Sequence, residues 1–258
     1  MSRVRLGPSP RSPLAAAAKA TAWALGVWAG MQVSLVVLTR NAIAALAVQA
    51  TIAEWGAGRL GIAWSDPLAP APSAADLRRR AALGAGLGLG AAGLVVTLAL
   101  ATQRASIAPS VPALGALMLG ALMAALAAVR DELLLRGMVL RIARPLLGTP
   151  AALLACAAAS AAVRLGAVDP TALGVGVEAL RGLVLALLWV RDRGAWMPVA
   201  ANAAWTWGLD SITRGDLLDV RFGAEPGSSL QALVVLGVLA AAAGWWVRWP
   251  PPSRPETA

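Results

Sequence analysis

Hydrophobic positions in this chain fall in long runs, and polar residues collect at the ends of those runs instead of alternating with them. Eight apolar stretches can be drawn, at 21–39, 42–64, 81–101, 111–129 with its continuation, 151–168, 172–190, 196–212 and 230–247. A helix rises 1.5 Å per residue, so about 20 residues cross some 30 Å of hydrocarbon. The runs match that length and predict an all-α, polytopic transmembrane bundle of about eight spans. The second stretch is the weakest, because it carries Glu54 and Arg59. Residues 2–39 have a basic start followed by an apolar run that exceeds a usual signal core, so they read as an uncleaved first span.

Composition supports the membrane reading. Of 258 residues, 59% are hydrophobic and 14% charged, with a mean hydropathy of +0.70. A soluble domain carries about a quarter charged residues, and fewer could not cover its surface. The net charge of +9 raises nucleic acid as a partner. The arginines, however, lie at the ends of apolar runs and not on a polar face interleaved with aromatics. Their placement follows the positive-inside rule. With the amino terminus inside, Arg3, Arg5, Arg11, Arg78–Arg80, Arg141, Arg144, Arg191, Arg193, Arg248 and Arg254 fall on the inner side. Arg40, Arg104, Arg214 and Arg221 fall outside, the last two in a loop with Asp210, Asp216, Asp219 and Glu225. This predicts a multi-pass protein of a bacterial inner membrane with both termini cytoplasmic, its partner surface the lipid bilayer and not nucleic acid. Trp189, Trp196, Trp245, Trp246 and Trp249 lie near predicted inner ends, as interfacial anchors do.

Several chemistries are closed by residue counts. The chain has no histidine, so histidine serves neither as base nor as ligand. Cys156 is the single cysteine and Lys19 the only lysine. No metal site and no cofactor is expected. What remains is a set of ionisable groups at membrane depth, each costing about 2.5–3.5 kcal/mol on insertion scales. The densest is Arg130-Asp131-Glu132-Leu-Leu-Leu-Arg136-Gly137. On a helix Glu132 and Arg136 are i,i+4 neighbours that can pair, while Asp131 points to another face. Such a set is either a boundary cluster reaching for head groups or a carboxylate held by an arginine inside a cavity. Glu178 and Arg181, at i,i+3, can neutralise each other as bundle glue. Arg164 has no local partner, and either reaches the outer surface or answers Asp131 or Glu178 across the bundle.

Two of these segments together resemble the CAAX-protease and bacteriocin-processing (CPBP, or Abi) family of intramembrane endopeptidases. Asp131-Glu132-Leu-Leu-Leu-Arg136-Gly137 is similar to that family's Glu-Glu-x-x-x-Arg motif. The stretch from Leu180 through Trp196-Met-Pro198 to Asn202-Ala-Ala-Trp205-Thr206 is similar to its glycine-containing span, Trp-x-Pro entry and final His-x-x-x-Asn motif. The resemblance covers roughly residues 115–210. It implies a water activated by the first glutamate of the pair, helped by a histidine of a Phe-x-x-x-His motif and by the His and Asn of the last motif. Carried over, the first glutamate is Asp131, its neighbour is Glu132, the first histidine falls on Val168 (or on Ala167 if the register slips by one), and the last motif becomes Asn202 and Thr206. Only Glu132 and Arg136 stand as the family has them.

On this resemblance the chain divides into five parts. They are a basic cytoplasmic segment (1–20), amino-terminal spans with a polar linker at 65–80 (21–110), a CPBP-like core (111–212), an outer loop and last span (213–248), and a disordered tail (249–258). Measured from the inner helix ends, Glu132 lies about 18 Å deep, Asn202 about 14 Å and Val168 about 27 Å. The first two can share a level. Asp131, Glu132, Arg136, Asn202 and Thr206 are thus the family-equivalent catalytic positions, and Arg164, Val168, Glu178, Arg181 and Trp205 the binding candidates. Loss of each catalytic group removes roughly 10²–10⁴-fold in rate. The reading is a protein with a degenerate proteolytic site that binds a transmembrane or lipid-modified peptide or a membrane partner protein. An active, divergent endopeptidase using Asp131 or Glu132 stays open beside it, as does a small-solute transporter.

Overall fold

The computed structural model describes residues 13–38, 40–62, 64, 72–111, 113–167, 169–213, 215–222 and 225–248. Val168, Arg3, Arg5, Arg11, Arg214, Trp249, Arg254, linker residues 65–71 and the tail lie outside them. The chain is mostly helical: α1 (Pro13–Val37), α2 (Ala42–Arg59), α3 (Ala74–Ala101), α4 (Leu114–Asp131), α5 (Val139–Leu165), α6 (Ala172–Asp192), α7 (Trp196–Thr213) and α8 (Leu230–Arg248). Between α4 and α5 the helix continues through a π-helical segment, Glu132–Met138. Among the described residues four stretches are long and apolar enough to cross a membrane: Ala74–Ala101, Leu114–Leu165, Ala172–Asp192 and Leu230–Val247. The weak second stretch forms α2 but, like α1 and α7, is not one of them. The expected spans at 111–129 and 151–168 fall in the single run Leu114–Leu165, so four of the about eight expected spans are supported.

Helix starts follow local chemistry. Asn41 Oδ1 accepts from the Ala44 amide, and Thr171 Oγ1 accepts from the Gly174 amide, each supplying an N-terminal cap. Ser73 and Asp76 form a reciprocal capping box at the start of α3. That box starts the helix at Ala74, so 74–80, expected in the polar linker, is a helical turn carrying Arg78–Arg80. Asp192 closes α6 and its Oδ2 accepts from the Met197 amide, which fixes the tight α6–α7 turn.

The 52-residue run Leu114–Leu165 is not one rod. Gly148 (φ 78°, ψ 171°) breaks it, and the second arm of α5 turns back. Cys156 Sγ comes within 3.9 Å of the Arg136 carbonyl, whereas a straight helix would hold the two about 30 Å apart. This reversal brings the second arm of α5 against α6, as the separate stretches at 111–129 and 151–168 require.

The bundle has two chemically distinct ends. At one, Arg80 pairs with Asp192 (3.3 Å), Arg141 Nε donates to the Leu60 carbonyl (3.1 Å) and Arg191 lies 4.6 Å from the Trp246 ring centre. At the other, two short strands absent from the sequence reading, β1 (Ala105–Ala108) and β2 (Asp219–Phe222), pair antiparallel with Ala105 opposite Phe222. This ribbon ties the α3–α4 connection to the α7–α8 connection.

Packing is tightest between α3 and α7. A side chain at Gly84 would collide with the Met197 carbonyl, and one at Gly88 with the Ala201 carbonyl and the Trp205 amide. Small residues one turn apart let two backbones approach in lipid, where tight packing replaces the hydrophobic drive. The contact presses α7, and with it Asn202, against the centre of the bundle. One apolar core joins Ala91, Val95, Val177, Trp205, Leu209 and Leu236, and a second joins Val27, Met31, Ala53, Leu133, Met138 and Trp189.

Candidate active site

The π segment presents two faces at once. Its widened turns bury Glu132, Leu133, Arg136, Gly137 and Met138 together. Leu133 and Met138 pack toward α1 and α2, while Glu132 meets side chains of α6 and α7. Wide turns of this kind occur mostly as single insertions at functional sites. The residues that form this one (Leu, Leu, Leu, Arg) suit an ordinary helix equally well.

Glu132 and Arg136 are fully buried and lie 3.4 Å apart. Asn202 Nδ2 donates to Glu132 Oε1 at 2.9 Å, and Trp189 Nε1 donates to Glu132 Oε2 at 3.0 Å. Arg181 Nη1 in turn donates to Asn202 Oδ1 at 3.3 Å, and Arg181 Nη2 lies 2.7 Å from Glu178 Oε2. The guanidinium can only donate, so it fixes the amide with its oxygen outward and its NH₂ toward the carboxylate. The result is one relay through three elements: Glu178–Arg181–Asn202–Glu132, with Arg136 and Trp189 closing the last member. Arg136 Nε and Nη2 are buried without a hydrogen-bond partner among the described residues. Burying such donors costs roughly 1–3 kcal/mol each, more for charged groups.

Asp131 stands apart. Arg130 Nε donates to its Oδ1 at 2.6 Å, and Arg130 Nη1 donates to Gln49 Oε1 at 2.7 Å. About a quarter of the Asp131 side chain is exposed, against none of Glu132. The two adjacent carboxylates therefore have separate partners, one an arginine at its own doorstep and the other a sealed network. Gln49 is a member that sequence reasoning missed. Its signal was a lone amide inside the apolar stretch 42–64.

The other sequence-predicted residues divide. Glu178 and Arg181 pair as their spacing suggests, and Arg181 also reaches the site. Arg164 does not: its Nη2 lies 2.7 Å from Glu225 Oε2 and 3.1 Å from Ser228 Oγ, at the ribbon end. It sits in the last turn of α5 and pairs there, and not with Asp131 or Glu178 across the bundle. Thr206 follows Asn202 by one turn and is half-buried, and Trp205 packs in the first apolar core. Trp189 is corrected from interfacial anchor to interior donor. It is 8% exposed and shares the α6 face of Arg181 and Leu185 at successive i+4 positions, the period that could have revealed it.

Beside Arg181 and Asn202 lies a hollow of about 370 Å³ between α3, α6, α7 and α8. Leu83, Leu87, Leu185, Leu188, Leu239 and Trp246 are among the apolar side chains that line it. The volume is within the range of small-ligand pockets, which combine apolar walls with a few placed polar groups. Among the described residues no group of three or more Cys, Asp or Glu side chains is arranged to hold a metal ion.

The segment that builds this network runs from the start of α4 to the middle of α7. Residues 113–208 match the type II CAAX prenyl endopeptidase Rce1-like family. The Rce1-like segment contains every member of the relay, while α1–α3 and α8 lie outside it. No curated protein and no solved structure matches the chain. Its apolar, crossing-length helices make the chain an integral membrane protein, and its segment 113–208 is similar to the CAAX prenyl endopeptidase family.

Proposed function

We infer that this chain keeps the Rce1-like core as a binding fold and has given up peptide hydrolysis. The observation that carries the reading is the state of Glu132. Both its oxygens are taken, Oε1 by Asn202 and Arg136 and Oε2 by Trp189, in a fully buried setting. A general base must accept a proton from a water within hydrogen-bond reach. A fully buried carboxylate held by two hydrogen bonds, from Asn202 and Trp189, and by the Arg136 ion pair is built to lock helices together. The alternative carboxylate, Asp131, is neutralised by Arg130 at 2.6 Å, and the chain has no histidine to assist it.

The binding partner of this reading is a lipid-modified or transmembrane peptide segment, held in the apolar hollow with its polar part at Arg181 and Asn202. The hollow's walls suit a hydrocarbon chain, and the matched family's description supplies the precedent of a prenylated peptide. The orientation belongs to the same proposal. The end carrying Arg80, Arg141 and Arg191 is cytoplasmic in a bacterial inner membrane, with both termini on that side, in keeping with the positive-inside rule.

The test uses purified full-length protein in nanodiscs and a farnesylated peptide with a quenched fluorophore across its carboxy-terminal bonds. No cleavage above protein-free discs is expected. A photoreactive residue in place of Leu239 should capture the farnesylated peptide and not its unmodified twin. Cleavage that disappears in Asp131→Asn or Glu132→Gln would overturn the reading in favour of a divergent endopeptidase. Equal capture of both peptides would overturn the lipid-binding part.

A further inference from the structure

A second, larger hollow lies at the basic end, lined by residues of α1, α2 and α5. It encloses about 890 Å³ between α1, the end of α2 and the first arm of α5. Three cations line it, Lys19, Arg59 and Arg141, and no carboxylate does. Among the described residues none of the three is in an ion pair. Arg141 spends its Nε on the Leu60 carbonyl, and Arg59 lies 5.3 Å from the Trp55 ring centre. Glu54, earlier on α2, is taken by Trp64 Nε1 at 3.2 Å. The remaining walls are alanines and Trp23 of α1, Leu60, and Ile142, Pro145 and Leu146 of α5. The groove thus combines three cations with apolar walls.

We propose that this groove binds an anionic phospholipid, its phosphate between Lys19, Arg59 and Arg141 and its acyl chains along Ile142 and Leu146. Charge complementarity selects the occupant. Basic pockets between transmembrane helices on the cytoplasmic side suit anionic head groups. A zwitterionic lipid brings an ammonium that three unpaired cations repel. The chain's own first twelve residues are an unsuitable occupant, because they carry Arg3, Arg5 and Arg11 and no acid. The volume exceeds what a phosphate ion needs and leaves room for a glycerol backbone. The proposal is independent of peptide binding, since no lining residue is shared with the apolar hollow at Asn202.

The test is native mass spectrometry of the full-length protein released from nanodiscs of phosphatidylglycerol, of phosphatidylcholine, or of phosphatidylcholine with inorganic phosphate. Retained phosphatidylglycerol and no retained phosphatidylcholine or phosphate is expected. Lys19→Gln with Arg59→Gln should lower phosphatidylglycerol retention, by about fivefold for each cation removed. Both side chains are exposed, so the fold should be unaffected. Arg78→Gln with Arg79→Gln removes the same charge at the same end outside the groove, and should leave retention unchanged. Equal loss in the two double variants would overturn the site in favour of general surface attraction. Retention of phosphatidylcholine, or of phosphate alone, would overturn the lipid class.

Discussion

The Asn202 amide donates to Glu132 Oε1 across 2.9 Å, joining α7 to the π segment inside the bundle. Its own oxygen accepts from Arg181, so three helical elements meet through one side chain. Asn202→Leu should destabilise the protein by about 2–4 kcal/mol, since it strips a donor from a buried carboxylate and an acceptor from a guanidinium. Chemical denaturation in detergent checks this. Unchanged stability in Asn202→Leu would mean the amide is not structural.

Trp189→Phe removes the indole N–H and, because phenylalanine is smaller, part of the packing beside Gly137. A hydrogen bond to a charged group contributes about 1.5–3 kcal/mol, and the loss should be of that order. The change should be visible as a lowered midpoint with an unaltered slope, since the exposed surface on unfolding stays the same.

Glu132 and Arg136 should show strong coupling. Arg136→Met alone leaves a buried carboxylate without its counter-charge and should cost about 3–5 kcal/mol. Glu132→Gln combined with Arg136→Met should recover much of that, because the uncompensated charge is gone. A double-mutant cycle measures the difference. Additive losses would show that the two side chains do not act as a pair.

Gly88→Ala should be more damaging than Gly93→Ala on the same helix. The first would drive a methyl into the α7 backbone, and the second meets nothing within 4 Å. Overpacking of this kind costs roughly 1–3 kcal/mol, while the exposed change should be neutral or slightly stabilising. Unfolding of the two variants side by side provides the comparison.

Arg164→Ala should leave capture of a lipid-modified peptide unchanged. Its partner Glu225 is largely exposed, and exposed pairs contribute about 0–1 kcal/mol. A loss of capture would return Arg164 to the binding site that its place in the chain suggested.

Most of this architecture was legible in the run lengths, because an apolar run of about 20 residues has few ways to satisfy its backbone in lipid. The Glu132–Arg136 contact was legible too, from i,i+4 spacing, and the Asn202 position followed from motif resemblance. The π segment was not, since residues 132–138 have no preference that separates a wide turn from an ordinary one. Trp189 was hidden by its position near a helix end, where tryptophan has a good reason to sit at the interface. The ribbon escaped for a different reason: four-residue strands pairing across more than a hundred residues leave no local periodicity.

That ribbon also sets an order on biogenesis. β1 leaves the ribosome long before β2, and the pairing cannot close until α4 through α7 have been threaded between them. The α3–α4 connection must therefore wait, with its backbone groups solvated, while four further helices are delivered. Shortening the α7–α8 connection should leave the finished protein's early helices correctly inserted but unlatched, and a membrane quality-control protease would meet them in that state.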